Sequence, residues 1–390
     1  MSVTAIYNQN ESFYCTQVQL VRGGTPYFQK LVELIQSAAQ LIQLHVYIFD
    51  DDETGVEIGT ELMHAAQRGV QVQLMVDAFA SSNLSDSFIE QLQQAGVLFK
   101  EFAPLLKSSR FYFGRRMHHK VVVADGVRAL VGGINISNRY NDMPGEQAWL
   151  DWALYVEGEV CSELKKVCNE VWTGNSLFKS KRKASKQNNT STSDSYLVRV
   201  RRNDWVSRKN QISRTYLQMF RYAQKNITIM SAYFLPGRVF RKNIERALKR
   251  GVQFHIITAG NSDVMISKNA ERFLYRWLLK RGARIFEYQP TVLHGKLSVC
   301  DNLFVTAGSY NINNISAYAS IELNLDVYHQ YFAQDTLEQL EKIMNTDCIE
   351  ITYDSYQTKY HRPARIWQWC CYVLFRFIFF LFTFYFKQKE

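Results

Sequence analysis

Two segments of the 390-residue sequence carry the same reactive side chains at the same spacing. Both follow the pattern H-x-K-x4-D-x6-G-[GS]-x-N. The residues are His118, Lys120, Asp125 and Asn135 in the first segment, and His294, Lys296, Asp301, Ser309 and Asn311 in the second. Matched positions lie 176 residues apart. A single His-x-Lys would be a weak signal, but the longer pattern occurring twice in one chain is a specific one.

These residue types suit the transfer of a phosphoryl-containing group. Alternate residues of a strand point to one face, so each histidine should project together with its lysine. If the two segments meet in one cleft, two ammonium groups and the amides of Asn135 and Asn311 can bind a phosphoryl group. One imidazole can attack phosphorus, while the other protonates the leaving alkoxide and then deprotonates the incoming alcohol. Because lysine supplies positive charge, this chemistry requires no metal, and we expect no cofactor.

The repeat extends beyond the motif. Three further pairs of segments are similar and keep the same order in both halves of the chain. They are residues 45–50 with 231–236, 68–77 with 250–259, and 95–104 with 282–290. This pattern predicts two copies of one α/β unit packed about a pseudo-twofold axis.

Apolar runs that alternate with helical patterns indicate an α/β fold. Residues 41–49, 72–79 and 129–134 are apolar runs typical of buried strands. Residues 58–67 have helical periodicity, and Gly69 follows at a position that suits a helix C-cap. The alternation predicts a parallel or mixed sheet covered on both faces.

Composition narrows the class of protein. Hydrophobic residues (47%) and charged residues (21%) exclude a disordered chain, and 6 prolines and 19 glycines exclude a collagen-like one. The net charge of +10 favours an anionic partner, either nucleic acid or an acidic membrane surface. The 7 cysteines include no C-x-x-C pair, and the first residues lack the features of a signal peptide. We therefore expect a reducing, cytoplasmic environment.

The sequence divides into four predicted parts. Residues 1–172 and 196–345 are the two α/β halves. Residues 173–195, rich in Ser, Thr, Asn and Lys, form a predicted flexible basic linker or loop. Residues 346–390 form a predicted membrane-associating tail.

The tail contains a long apolar run. Residues 366–386 include one charge, Arg376, and have Trp367 and Trp369 near one end, as interfacial anchors do. As a helix this run would extend about 31 Å, enough to cross a hydrocarbon core. A charge at mid-bilayer costs roughly 2.5–3.5 kcal/mol, so the alternatives include a segment lying in the interface and a shallow hairpin. The remaining alternative is a buried core helix of a soluble domain.

The doubled motif resembles that of the phospholipase D superfamily, the HKD enzymes. The resemblance extends from about Val18 to about Tyr328 and is closer to the bacterial cardiolipin synthases. The segments that carry it are residues 19–38, 47–55, 232–252 and 288–296. It implies a duplicated phospholipase D-like α/β/α sandwich with two pseudo-twofold-related halves, to which the tail adds a C-terminal hydrophobic helix.

The resemblance also implies roles for individual residues. His118 would be the nucleophile that forms a phosphohistidine, and His294 the general acid and base. Asp125 and Asp301, grouped with the catalytic residues as motif members, would be mainly structural. Asp151 and Glu322 would hydrogen-bond a catalytic histidine, an ordinary surface carboxylate being the alternative for each. Ser309 would bind the substrate phosphate with Asn135 and Asn311, whereas the first motif has Gly133 in place of serine.

Together these features predict a membrane-associated transphosphatidylase. One phosphatidylglycerol would give its phosphatidyl group to a second phospholipid hydroxyl, with release of glycerol and formation of cardiolipin. Hydrolysis of phospholipid, cleavage of nucleic acid and a non-enzymatic lipid-binding role are the alternatives. We expect phosphatidylglycerol and an anionic membrane as partners, no nucleic acid, and attachment through the tail to the cytoplasmic face of a bacterial inner membrane. The sequence leaves the oligomeric state open.

Overall fold

The computed structural model describes residues 11–103, 115–174, 195–313 and 320–387, with side chains up to residue 377. The strands are β1 (Phe13–Arg22), β2 (Leu41–Val46), β3 (Gln71–Asp77), β4 (Leu98–Phe102), β5 (Arg116–Met117), β6 (Lys120–Ala124), β7 (Arg128–Gly132), β8 (Trp152–Gly158), β9 (Tyr196–Asp204), β10 (Lys209–Asn210), β11 (Asn226–Ser231), β12 (Gln253–Ala259), β13 (Arg284–Tyr288), β14 (Lys296–Cys300), β15 (Phe304–Gly308), β16 (Ser320–Tyr328) and β17 (Cys348–Ile351). The helices are α1 (Thr25–Gln36), α2 (Glu53–Gln67), α3 (Asp86–Gln94), α4 (Glu159–Thr173), α5 (Gln211–Tyr222), α6 (Arg238–Lys249), α7 (Met265–Leu279), α8 (Gln330–Thr346), α9 (Tyr353–Lys359) and α10 (Arg362–Lys387).

The two halves build matching mixed sheets. The first sheet has the order β4-β3-β2-β6-β7-β8-β1, and the second has β17-β13-β12-β11-β14-β15-β16-β9. In each sheet three strands are parallel, β2 to β4 and β11 to β13, and the others are antiparallel. The start of β1 also pairs with the start of β9, so the sheets are joined edge to edge. The predicted duplicated α/β/α sandwich is confirmed.

Helices cover both faces of each sheet. In the first half, α1, α2 and α3 pack on the outer face, and in the second half α5, α6 and α7 do the same. The inner faces of both sheets share one apolar core with α4 and α8. Burying a large aliphatic side chain stabilises a fold by about 1.5–3 kcal/mol. This common core therefore holds the halves together as one body.

The strands form where apolar residues run without interruption. The predicted runs at 41–49, 72–79 and 129–134 appear as β2, β3 and β7. All five residues of β6 and of β14 are buried, as expected for strands covered on both faces. Helix α2 begins earlier than the predicted 58–67 because the Asp52 side chain caps it, accepting from the Gly55 N–H. Gly69, just beyond that helix, has a φ of +89°.

The aspartate of each motif ties a turn to a neighbouring strand. The Asp125 carboxylate accepts three backbone N–H groups, from residues 39, 40 and 41, where β2 begins. The Asp301 carboxylate accepts the N–H groups of residues 224, 225 and 226, where β11 begins. Both aspartates have positive φ angles, 54° and 52°. They fix the turns after β6 and β14.

The chain beyond the second sheet forms α10, which packs along α7. In the described part of the chain, no helix combines the length and apolar character that crossing a membrane requires. Of the predicted linker at 173–195, residues 175–194 lie outside the described residues.

Replacing Asp125 by Asn should lower the free energy of unfolding by about 1–2 kcal/mol, because a charged acceptor of three N–H groups is lost. Partial burial raises the pKa of Asp125, but these three bonds outweigh it and hold the pKa below its ordinary value. Its stabilising effect is therefore present at neutral pH and lost as pH falls through that pKa.

Urea unfolding of the wild type and D125N at pH 7 and at pH 3 measures the difference, which should shrink in acid. The control is Asp335→Asn, which changes an exposed carboxylate on α8 bonded by one side chain, Gln339. Equal stability of D125N and the wild type at pH 7 would contradict the structural role of Asp125.

Candidate active site

Beside the candidate site, two short backbone segments of each half pair with segments of the other half. Strand β5 runs parallel to the start of β16, and the His118 N–H donates to the Ile321 carbonyl at 3.0 Å. In the reciprocal contact Leu150 pairs with Leu293, and the His294 N–H donates to the Leu150 carbonyl at 2.8 Å. Each histidine is thus held against a segment of the opposite half, and the residue that follows the paired position in that segment has a carboxylate side chain.

Each histidine binds a carboxylate from the other half. His118 Nδ1 lies 3.0 Å from Glu322 Oε2, and His294 Nδ1 lies 2.6 Å from Asp151 Oδ2. Both acids are completely buried, which excludes the alternative of ordinary surface carboxylates. The sequence indicated contacts between these acids and the histidines but not that the pairs cross between halves.

These carboxylate contacts favour one tautomer of each ring, although Lys296 Nζ also lies 2.9 Å from His294 Nδ1. A carboxylate accepts hydrogen bonds, so Nδ1 carries the proton and Nε2 keeps the lone pair needed to attack or accept a proton. Burial and the nearby Lys296 ammonium lower the pKa of His294 to about 4, although the Asp151 carboxylate opposes the shift. Burial also lowers the pKa of His118, although Glu322 opposes the shift. Both imidazoles are therefore neutral at pH 7.

Two buried lysines supply the positive charge. Lys120 Nζ donates to the His118 carbonyl at 2.6 Å, and Lys296 Nζ donates to the His294 carbonyl in the same way. Burial lowers the pKa of Lys120 to about 7, with Lys296 as the next largest cause. Burial likewise lowers the pKa of Lys296. The two ammonium groups thus lie close enough to repel each other, and a bound anion would relieve that repulsion.

The predicted phosphate-binding residues have different surroundings. Asn135 is buried, and its Oδ1 accepts the Ile48 N–H at 3.1 Å, which directs its amide donors elsewhere. Asn311 is also buried, and its Oδ1 has no partner among the described residues. Ser309 donates its hydroxyl proton to Glu322 at 2.5 Å. Ser309 therefore orients a carboxylate, whereas the sequence analysis predicted that its hydroxyl would bind the substrate phosphate.

Gly133 occupies the position that matches Ser309. A Cβ atom there would lie 2.5 Å from Asp151 Oδ1, inside contact distance. A serine would have to displace the carboxylate that holds His294. The absence of a hydroxyl in the first motif thus follows from the packing of Asp151.

The two motif aspartates lie away from the histidines. Lys120 begins β6 and Asp125 follows its last residue, so about 16 Å of strand separates them. Asp301 has the same relation to Lys296 along β14. Both carboxylates accept backbone N–H groups at the far end of their strands, which is a structural role.

Aromatic side chains that the sequence analysis did not identify flank the histidines. The Tyr47 ring meets His118 edge-on at 4.8 Å between centroids, and Lys120 Nζ lies 5.0 Å from the same ring. Tyr140 meets His294 at 5.3 Å, and Trp149 lies 6.2 Å from it. The one available signal was position, because Tyr47 directly follows β2 at the edge where the site lies.

Comparison with known proteins indicates the family to which the chain belongs. The family model described as "Cardiolipin synthase, PLD-like domain" matches residues 31–172 and 216–346. Cardiolipin synthase B of Salmonella typhimurium strain LT2 is 34% identical over 339 residues, which is 86% of this chain and 82% of that protein. Cardiolipin synthase B of Escherichia coli K12 is 32% identical over the same shares of both chains.

A solved structure has the same fold. The phosphatidylserine synthase of Haemophilus influenzae Rd KW20 aligns with a TM-score of 0.70 at 17% sequence identity, covering 92% of this chain and 94% of that one. The match of the family model to both halves, together with relatives above 30% identity over most of their length, determines the family. The chain belongs to the phospholipase D superfamily and, within it, to the phosphatidyltransferases of the cardiolipin synthase branch.

Proposed function

We propose that this protein synthesises cardiolipin from two molecules of phosphatidylglycerol through a phosphohistidine intermediate. The observation that carries the proposal is the crossed arrangement of two histidine–carboxylate pairs beside two buried lysines. Such a site offers two imidazoles with fixed tautomers and a positive environment for one phosphodiester. The cardiolipin synthases to which the chain is similar support the choice of substrate.

In the first step His118 Nε2 attacks the phosphorus of phosphatidylglycerol. A P–N bond forms, the P–O bond to the glycerol headgroup breaks, and His294 gives its Nε2 proton to the departing alkoxide. The greater exposure of the His118 side chain, 17% against 9% for His294, supports His118 as the nucleophile. The products of this step are phosphatidyl-His118 and free glycerol.

In the second step the headgroup hydroxyl of another phosphatidylglycerol attacks the phosphohistidine. His294, now neutral, removes the hydroxyl proton, while the new P–O bond forms and the P–N bond to His118 breaks. Cardiolipin leaves, and both imidazoles return to their starting states. Water in place of the alcohol would give phosphatidic acid, so hydrolysis is the competing outcome of the same chemistry.

The charges of the site are consistent with these two reaction steps. A phosphodiester carries one negative charge, which favours protonation of His294 and of Lys120, whose pKa values burial lowers to about 4 and about 7. The lysines and the amides of Asn135 and Asn311 can then stabilise the charge that builds up on phosphorus oxygens in the transition state. Asp151 stabilises the imidazolium of His294 through Nδ1.

Product analysis tests the reaction class. Purified protein with phosphatidylglycerol as the only lipid should give cardiolipin and glycerol in equal amounts, measured by thin-layer chromatography and a glycerol assay. H118A and H294A should lose at least about 10³-fold in rate. The exposed His64 supplies the control H64A, which should match the wild type. Phosphatidic acid as the main product would show a hydrolase instead.

A substrate with an activated leaving group separates the two histidines. Phosphatidyl-p-nitrophenol needs no protonation of its leaving group, so H294N should release one equivalent of p-nitrophenol in a burst and then stop. Peptide mapping should locate the phosphatidyl group on His118. H118N should give no burst. A burst from H118N with label on His294 would reverse the assigned roles.

The two carboxylates should also differ in their effects. Asp151→Asn leaves shape intact but removes the charge behind the general acid, so turnover of phosphatidylglycerol should fall by roughly 10²–10⁴-fold. The p-nitrophenol burst should survive in D151N, since it bypasses the acid. Glu322→Gln should slow the burst itself, because Glu322 orients the attacking ring. Equal loss of the burst in both variants would contradict this division.

A further inference from the structure

The C-terminal helix α10 has one face packed on the protein. Gln368 and Cys371 are buried on that face, and Cys371 shares a small apolar cluster with Leu235, Ala270 and Leu274. The Phe273 and Tyr372 rings lie 4.8 Å apart in the same seam. The contacts come from α7 and from the loop before α6, so α10 lies along the body of the protein throughout its described side chains.

The opposite face of α10 is apolar and exposed. Its large side chains are 41–62% exposed: Ile366, Trp367, Trp369, Val373, Leu374 and Phe377. A surface helix of a soluble protein normally turns polar residues outward. This helix does the reverse, and a contiguous apolar face of this kind is typical of an interaction surface.

A second group of exposed apolar residues lies on α7, the helix that α10 packs against. Val264, Met265 and Ile266 are 41%, 59% and 45% exposed where α7 begins. They directly follow Asp263, whose carboxylate accepts a hydrogen bond from the Tyr233 hydroxyl and whose charge partly opposes the lowering of the pKa of Lys296. Exposed apolar side chains therefore lie on α10 and at the start of α7, where they adjoin a residue whose charge acts on Lys296.

Basic side chains converge on a groove between α6 and α10. The groove is lined by Leu235, Pro236, Gly237, Arg238, Arg241, Tyr372, Phe375 and Arg376 and includes no acidic residue. The Arg241 and Arg376 guanidinium groups lie 6.0 Å and 5.9 Å from the Tyr372 ring centroid. Among the described residues that line the groove there is no carboxylate to neutralise these guanidinium groups, so binding of a phosphate there would be favourable.

We propose that these elements form one docking surface for an anionic phospholipid bilayer. The docking surface comprises the outward face of α10, the first turn of α7 and the arginine groove. The apolar side chains would enter the boundary between headgroups and acyl chains, with the two tryptophans at the interface. The guanidinium groups would bind lipid phosphates. The inference deepens the proposed function, because an enzyme docked through this surface would take its lipid substrate directly from the membrane.

Charge argues against a second copy of the chain as the occupant. A twofold interface uses the same patch of both copies, so it would bring two patches that each contain the arginine groove together. An anionic bilayer offers both an apolar layer and phosphate groups to the same surface. The protein's net charge of +10 favours the same partner.

Vesicle binding of the full-length protein tests the docking surface. Cosedimentation with phosphatidylcholine vesicles, with and without phosphatidylglycerol, gives the affinity at several salt concentrations. The double variant V373E/F377E should bind at least about tenfold more weakly to both vesicles. R238Q/R376Q should weaken binding to the phosphatidylglycerol vesicles alone and reduce its salt dependence. The control is Tyr331→Glu, which alters a side chain 77% exposed on α8 and should bind as the wild type does.

The proposal is overturned if V373E/F377E binds vesicles as tightly as the wild type, or if the wild type binds neither vesicle. It is also overturned if light scattering without lipid shows a stable dimer that V373E/F377E dissociates, because the face would then cover a second copy. Turnover of a short-chain, water-soluble phosphatidylglycerol reports on the proposed reaction separately. V373E/F377E should keep that turnover while losing vesicle binding. If the wild type shows no such turnover but the binding pattern holds, the reaction fails and the docking surface stands.

Discussion

The site depends on backbone pairing between segments of the two halves. Without the pairing of β5 with β16, and of Leu150 with Leu293, neither histidine would meet its acid. The carboxylate that fixes His294 belongs to the first half, and the one that fixes His118 belongs to the second. Neither half contains a complete histidine–carboxylate pair, so the duplicated chain acts as one catalytic unit.

Burial makes this arrangement effective and also costly. Removing lysines, imidazoles and carboxylates from water lowers the pKa values of the cations, as the value of about 7 for Lys120 shows. The mutual pairing of acids and bases limits that cost, and the core shared by both sheets supports it. The result is a site in which both imidazoles are neutral and Lys120 has a lowered pKa. The negative charge of a phosphodiester would favour protonation of these bases. In the proposed reaction, these buried surroundings would favour an alcohol over water as acceptor.

The sequence predicted those features that depend on local spacing. His118 and Lys120 share a strand face because they are two residues apart, and the 176-residue repeat identified their partners. The apolar runs predicted the strands because they, too, are local patterns of neighbouring residues. Asp151 and Glu322 could be proposed only through family resemblance, since no local pattern links either acid to a histidine.

Features that depend on tertiary pairing could not be read from the sequence. Which acid binds which histidine is decided by strand pairs between residues more than 140 positions apart. Ser309 was expected to bind phosphate, but a hydroxyl beside a buried carboxylate donates to it first. Tyr47 and Tyr140 contact the two histidines from segments that are distant in sequence, which the spacing of the motif does not show.

The crossed pairing is tested most directly by NMR of the imidazole nitrogens in the full-length protein. Long-range proton–nitrogen spectra at neutral pH should show His118 and His294 as neutral rings protonated on Nδ1. Asp151→Asn should shift the signals of His294 and leave His118 unchanged, and Glu322→Gln should do the opposite. If either substitution instead perturbed the histidine of its own half, or if the rings were protonated on Nε2, the account of the site would be contradicted.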